Sequence, residues 1–165
     1  MEVVADKGRV GKGRKFKNVE YVADPLELSK KYVQDGADVL VFYDITASTE
    51  NRTVFTGIIE QIAKEVPIPF TVGGGIRTLE DIQNILDAGA DKVSINSAAI
   101  TNRSFIEEAA KRFGSERIIL SIDVKQVGPS KWSIYERGGQ KDTGIDAIEW
   151  AIKGEAQGAG ELVVN

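Results

Sequence analysis

Ala88-Gly89-Ala90-Asp91-Lys92-Val93-Ser94-Ile95 has two near relatives in the same chain. They are Asp35-Gly36-Ala37-Asp38-Val39-Leu40-Val41-Phe42 and Gln157-Gly158-Ala159-Gly160-Glu161-Leu162-Val163-Val164. Each copy reads as the end of a helix, a glycine turn and a short apolar strand. Repeated β-α units of this kind specify a parallel sheet covered by helices. A spacing of about 25 residues per unit fits a (β/α)8 barrel better than a doubly wound nucleotide fold. A flavodoxin-like open sheet is the structural runner-up.

Outward from the repeats, the pattern predicts strands over 2–5, 39–43, 70–72, 92–95, 117–122 and 161–164. Asp24-Pro25 starts the first helix, with Asp as N-cap and Pro at the first helical position. A second helix is expected over 52–65, where Val54, Phe55, Ile58, Ile59, Ile62 and Val66 recur at helical spacing. Further helices are expected from Thr78, over 104–113 and from Asp146. The strand at 39–43 is almost wholly apolar, which predicts burial on both faces. Residues 131–137 read as an extra strand or hairpin arm, and Asp142-Thr143-Gly144 as the approach to the last helix. Asp6 to Gly13 reads as a basic, glycine-rich loop in a segment poor in strand signal. A complete barrel needs eight strands and about 250 residues. The expectation is therefore one partial barrel domain over 1–165, with the last two β-α units missing.

Composition narrows the chemistry. The chain has 165 residues, a net charge of -4, and neither His nor Cys. The acidic balance argues against nucleic-acid binding. No apolar run approaches the roughly 20 residues of a membrane span, and the N-terminus lacks the pattern of a secretion signal. A cytoplasmic location is expected. Without His or Cys, Ser-His and Cys-His nucleophiles and the usual zinc sites are excluded. Acid–base work must fall on Asp, Glu, Lys or Tyr, and a metal would need oxygen ligands.

Pro69-Phe70-Thr71-Val72-Gly73-Gly74-Gly75-Ile76-Arg77 joins a buried strand to a glycine turn and a helix start. Exposed N–H groups and the positive end of a helix dipole suit a phosphate there. A tight turn without a ligand is the other reading. Barrel active sites lie at the C-terminal ends of strands. Those ends carry Asp44, Thr46 and Ser48, then Gly73 to Gly75, then Asn96 and Ser97, then Asp123 and Lys125. Asp123 follows Ile119-Leu120-Ser121-Ile122 directly and is placed for acid or base work. The alternatives for it are a helix cap or a salt bridge with Lys125.

Four segments closely resemble the cyclase subunit of imidazole glycerol phosphate synthase. They are Val41 to Ser48, Phe70 to Ile76, Asp91 to Ala99 and Ser121-Ile122-Asp123-Val124-Lys125. Lys141 to Ile145 and Gly158 to Val164 fit the same family. Asp44-Ile45-Thr46-Ala47-Ser48 favours the cyclase over its sibling barrel, the phosphoribosyl isomerase of the preceding step. The resemblance implies a (β/α)8 barrel acting in histidine biosynthesis without a cofactor. It implies a lyase that takes ammonia from a partner glutaminase and closes an imidazole ring on a bisphosphorylated substrate. The implied products are imidazole glycerol phosphate and an aminoimidazole carboxamide ribotide. Asp123 matches one of the two catalytic aspartates. Gly74, Gly75, Asn96 and Ser97 fall in the phosphate site, with Lys12 in the first loop. Lys92 and Glu161 match a charged ring thought to admit ammonia.

The match has gaps. Val4 stands where the resemblance places the first catalytic aspartate, and Asp6 is the nearest carboxylate. Val39 stands where the ring usually has Glu, and the ring's first-strand arginine has no counterpart. Little or no activity is expected from the chain as it stands. A non-catalytic fragment that self-associates through open sheet edges is the alternative from a different class.

Overall fold

The computed structural model describes residues 2–6, 9–14, 17–44, 52–136 and 139–165, with side chains for 24–44, 55–136 and 139–165. The chain divides into two compact units, Met1–Val93 and Ser94–Asn165.

The first unit holds β1 (Glu2–Asp6), β2 (Arg9–Arg14), β3 (Lys17–Ala23), α1 (Pro25–Gln34), β4 (Leu40–Asp44), α2 (Arg52–Glu65), β5 (Phe70–Gly73) and α3 (Leu79–Asp87). Its strands lie in the order β3-β2-β1-β4-β5. The β1/β4 and β4/β5 pairs are parallel, as the repeats require. Strand β6 (Lys92–Ile95) runs across the boundary between the units. Its first backbone contact is made beforehand, where Asp91 N–H donates to the Phe70 carbonyl at 3.0 Å.

The N-terminal segment corrects the sequence reading. Within the loop expected over Asp6 to Gly13, Arg9 to Gly13 lie in β2, and 17–23 form β3, both in antiparallel pairing. Arg9-Val10-Gly11-Lys12-Gly13-Arg14 carries one apolar residue, so no pattern within it announces a strand. Cross-strand partners supply what the local sequence does not.

The core of this unit is built where the apolar spacing put it. Leu40 and Phe42 of β4 and Phe70 and Val72 of β5 pack with Phe55, Ile59, Ile62 and Val66 near and along α2. The Phe42 and Phe70 rings meet edge to face at 5.7 Å. Each such buried side chain contributes about 1.5–3 kcal/mol. Strand β4 alternates between buried and half-buried residues, and Val39, outside it, is 45% exposed. Burial on both faces is therefore not found, because Val41 and Tyr43 keep partial access.

The second unit holds α4 (Ser97–Thr101), α5 (Phe105–Phe113), β7 (Ile118–Gly128), β8 (Lys131–Glu136), β9 (Lys141–Asp146), α6 (Ala147–Ala156) and β10 (Glu161–Val164). Strand β10 is parallel to β7, whereas β7, β8 and β9 form an antiparallel set. The extra strand expected at 131–137 is β8. Two details differ. Strand β7 continues to Gly128 instead of ending at Ile122, because β8 pairs with its second half. Asp142-Thr143-Gly144 belongs to β9, whose polar residues hid it. Asp146 caps α6, accepting from the N–H groups of Ile148 and Glu149. Ile118, Leu120, Ile106, Ala109, Ile134 and Trp150 form the buried interior.

The three repeats share one joint. Gly36, Gly89 and Gly158 have φ of 92°, 112° and 100°. The following N–H groups reach back five residues: Ala37 to Tyr32, Ala90 to Ile85 and Ala159 to Gly154, at 2.9, 3.3 and 3.0 Å. This is the glycine-terminated helix end that satisfies the last carbonyls and turns the chain into the next strand.

Candidate functional site

The glycine turn after β5 is pressed against the end of β4. Gly74 and Gly75 have φ of 84° and 63°. A Cβ at Gly74 would lie 2.1 Å from the carbonyl oxygen of Asp44. A cleft opens beside the turn, lined by Asp44, Phe55, Gly74, Gly75 and Asn84 among others. Asp44 is the last residue of β4 and is buried. Thr46 and Ser48 lie outside the described residues.

The helix that follows closes its own N-terminus. Thr78 Oγ1 accepts from the Asp81 N–H at 3.1 Å, and Asp81 Oδ2 accepts from the N–H groups of Arg77 and Thr78 at 2.8 and 2.9 Å. Those three donors are therefore not bare.

In the second unit, β7 is buried up to Ile122 and becomes half-buried at Asp123. Two amides hold that carboxylate. Asn96 Nδ2 donates to Oδ2 at 3.3 Å, and Asn165 Nδ2 donates to Oδ1 at 3.2 Å. Asn165 also reaches Ser121 Oγ at 3.3 Å. Its place is fixed by the parallel ladder: its N–H donates to the Ile122 carbonyl and its own carbonyl accepts from Val124, both at 2.9 Å. The bond to Asp123 sets the Asn96 amide orientation and leaves its buried Oδ1 without a donor among the described residues.

The salt bridge weighed for Asp123 is absent. Lys125 Nζ instead donates to the Gly139 carbonyl and sits 4.4 Å from the centre of the Tyr135 ring. Asp123 is not a helix cap either, since it lies within β7.

The remaining sequence candidates fall as follows. Ser97 is exposed and opens α4, and its carbonyl accepts from Thr101 Oγ1 at 3.1 Å. Lys92 is the first residue of β6 and Glu161 the first of β10, so each stands at the strand end remote from the candidate chemistry. Lys12 lies in β2 with its backbone opposite Glu20, and its side chain is outside the described set. Val4 pairs with Tyr43 in the sheet, and Asp6 ends β1. Among the described residues no group of three or more acidic side chains is placed to hold a metal ion. No described helix is long and apolar enough to cross a membrane.

Asn165 was missed in the sequence. Its signal was nonetheless there: Val163-Val164-Asn165 repeats the plan of Ser121-Ile122-Asp123, a polar residue directly after an apolar strand.

These features define a parallel α/β protein of the (β/α)8-barrel type, with polar groups gathered at strand C-terminal ends. The family model described as "Histidine biosynthesis protein" matches residues 4–165, and the chain belongs to that family. It is 59% identical, over 160 residues, to a protein of Oceanobacillus iheyensis named imidazole glycerol phosphate synthase subunit HisF. The aligned region is 97% of this chain and 63% of that relative, so the chain spans less than two thirds of the relative's length.

Proposed function

We propose that this chain carries the central acid–base residue of an imidazole glycerol phosphate synthase cyclase. In that reading, ammonia delivered by a glutaminase partner adds to a bisphosphorylated ribotide, and the imidazole ring closes to give imidazole glycerol phosphate and aminoimidazole carboxamide ribotide. The observation that carries the reading is Asp123, held by the Asn96 and Asn165 amides just past the point where β7 ends its parallel pairing with β10. A carboxylate fixed from two sides is positioned to shuttle a proton without first reorganising.

The other assignments follow the same reading. The resemblance assigns phosphate contacts to the backbone of Gly74 and Gly75 in the first unit, with Lys12, and to Asn96 and Ser97 in the second. At Asn96 the buried Oδ1 is an acceptor, so the phosphate contact falls to the free Nδ2 hydrogen or the main chain. Lys92 and Glu161 guard the path of ammonia. Val4 in place of a second carboxylate leaves the acid–base pair incomplete, which costs about 10²–10⁴-fold in rate.

The test is ammonium-dependent cyclisation by the native chain and by Val4→Asp, each with and without Asp123→Asn. Loss of turnover on Asp123→Asn in either background supports the assignment. Equal turnover with and without Asp123 removes it.

A further inference from the structure

Lys125 is left unused by the reaction above, yet it is among the most deliberately placed cations in the second unit. Asp123 and Lys125 are two apart on β7 and so share a sheet face. Strand β8 pairs Tyr135 with Asp123 and Ser133 with Lys125, which brings those side chains to the same face. Tyr135 in turn pairs with Asp142 of β9. One face of three strands thus collects Asp123, Lys125, Ser133, Tyr135 and Asp142.

The cluster has an internal order. Asp142 accepts from the Ser133 hydroxyl and from the Gly144 N–H at 2.8 Å, and it is the cross-strand partner of Tyr135. The β8–β9 register therefore sets the place of the Tyr135 ring. The Lys125 ammonium lies over the ring's face, 4.4 Å from its centre, and donates one hydrogen to the Gly139 carbonyl. A Cβ on Gly139 would stand 3.4 Å from Lys125 Cε, so the lysine stem passes close over this turn. Among the described residues no carboxylate is within ion-pair distance of Lys125 Nζ. A ring face and a carbonyl hold the ammonium without neutralising it, and hydrogens remain to donate. The nearby carboxylates are both committed, Asp123 to two asparagines and Asp142 to its own hydrogen bonds.

We infer that Lys125, seated on the Tyr135 ring, binds an anionic oxygen group of the substrate beside Asp123. This rests on the reading of Asp123 as the acid–base residue. It adds a recognition element from the β8–β9 arm, with Lys125 as the binding group and Tyr135 as the positioning residue. An anion drawn to the ammonium would be presented to the face on which Asp123 works, and the ring would keep the lysine from folding back onto that carboxylate.

The probe is inorganic phosphate at constant ionic strength, followed by amide chemical shifts of the labelled chain. The expected result is movement of the Lys125, Ser133 and Gly139 signals. Lys125→Met should weaken the apparent affinity about tenfold, with Lys125→Arg retaining it. Tyr135→Phe keeps the ring and should keep the affinity, whereas Tyr135→Leu should lose several-fold. Asp123→Asn should bind phosphate as well as the native chain or better, so loss of its turnover bears only on the proposed function. Undiminished binding by a folded Lys125→Met overturns the inference. So does a response confined to Gly74, Gly75 and Asn96, or no response at tens of millimolar phosphate.

Discussion

Asn165 Nδ2 lies 3.2 Å from Asp123 Oδ1 and 3.3 Å from Ser121 Oγ, so one amide ties the end of β10 to two side chains of β7. The shared ladder holds the pair in register, and the side-chain bonds orient the carboxylate. A hydrogen bond to a charged group is worth about 1.5–3 kcal/mol when buried and less when half-exposed. Asn165→Ala should therefore lower cyclisation by about tenfold with little change in substrate KM. A change confined to KM would assign Asn165 to substrate binding instead.

Val4→Asp should raise ammonium-dependent turnover by at least about 10²-fold, because it restores an acid–base partner on β1. The comparison variant is Asp6→Asn. If Asp6 already does this work, Asp6→Asn abolishes the native activity and Val4→Asp adds nothing.

Gly74→Ala should destabilise the fold by about 1–3 kcal/mol, the usual cost of forcing a side chain into a strained backbone conformation. The methyl would meet the Asp44 carbonyl, which cannot move without distorting β4. Urea unfolding measures the loss. Gly57→Ala, in the middle of α2 with open space at the Cβ, is the control and should be neutral or stabilising.

Asp142 makes the acid limb of stability steeper. Its carboxyl is held below the usual range, first by the Ser133 hydroxyl and then by the Gly144 N–H. A depressed folded pKa stabilises above the unfolded value, near pH 4, and that stabilisation is lost as pH falls through the folded value. Asp142→Asn should flatten the stability profile below about pH 4 and leave its slope above pH 5 unchanged. Tyr135 titrates in the opposite direction: burial, and then the Asp142 charge, hold its hydroxyl above the ordinary value. Its contribution is present below about pH 10 and disappears as pH rises through the folded pKa. Urea midpoints across pH 2–6 and 9–11 check both.

The parts of this fold that were legible are those in which neighbours along the chain carry the information. Helix α2 showed itself through Phe55, Ile59 and Ile62 at helical spacing, and Thr78 with Asp81 announced the start of α3. The repeats were readable because Gly36, Gly89 and Gly158 perform one conformational task. Strands β2 and β9 were not, since Gly11, Gly13, Asp142 and Gly144 gain their strand character only from partners across the ladder. The candidate site divides in the same way. Asp123 stood out at the end of an apolar run, but its two amide donors come from 27 and 42 residues away. The Lys125 contact with Tyr135 likewise depends on a register that local spacing does not encode.

The glycine joints at Gly36, Gly89 and Gly158 have a consequence for how this protein can change. They clamp the entry to β4, β6 and β10, whereas the exits of β5 and β7 differ: β5 gives way to a glycine turn, and β7 runs on into pairing with β8. Durability is thus assigned to one pole of a strand, its entry, and the proposed chemistry to the other, its exit. Selection can rewrite one pole while the other keeps the chain folded, which is the latitude a scaffold needs to acquire a new substrate without being rebuilt.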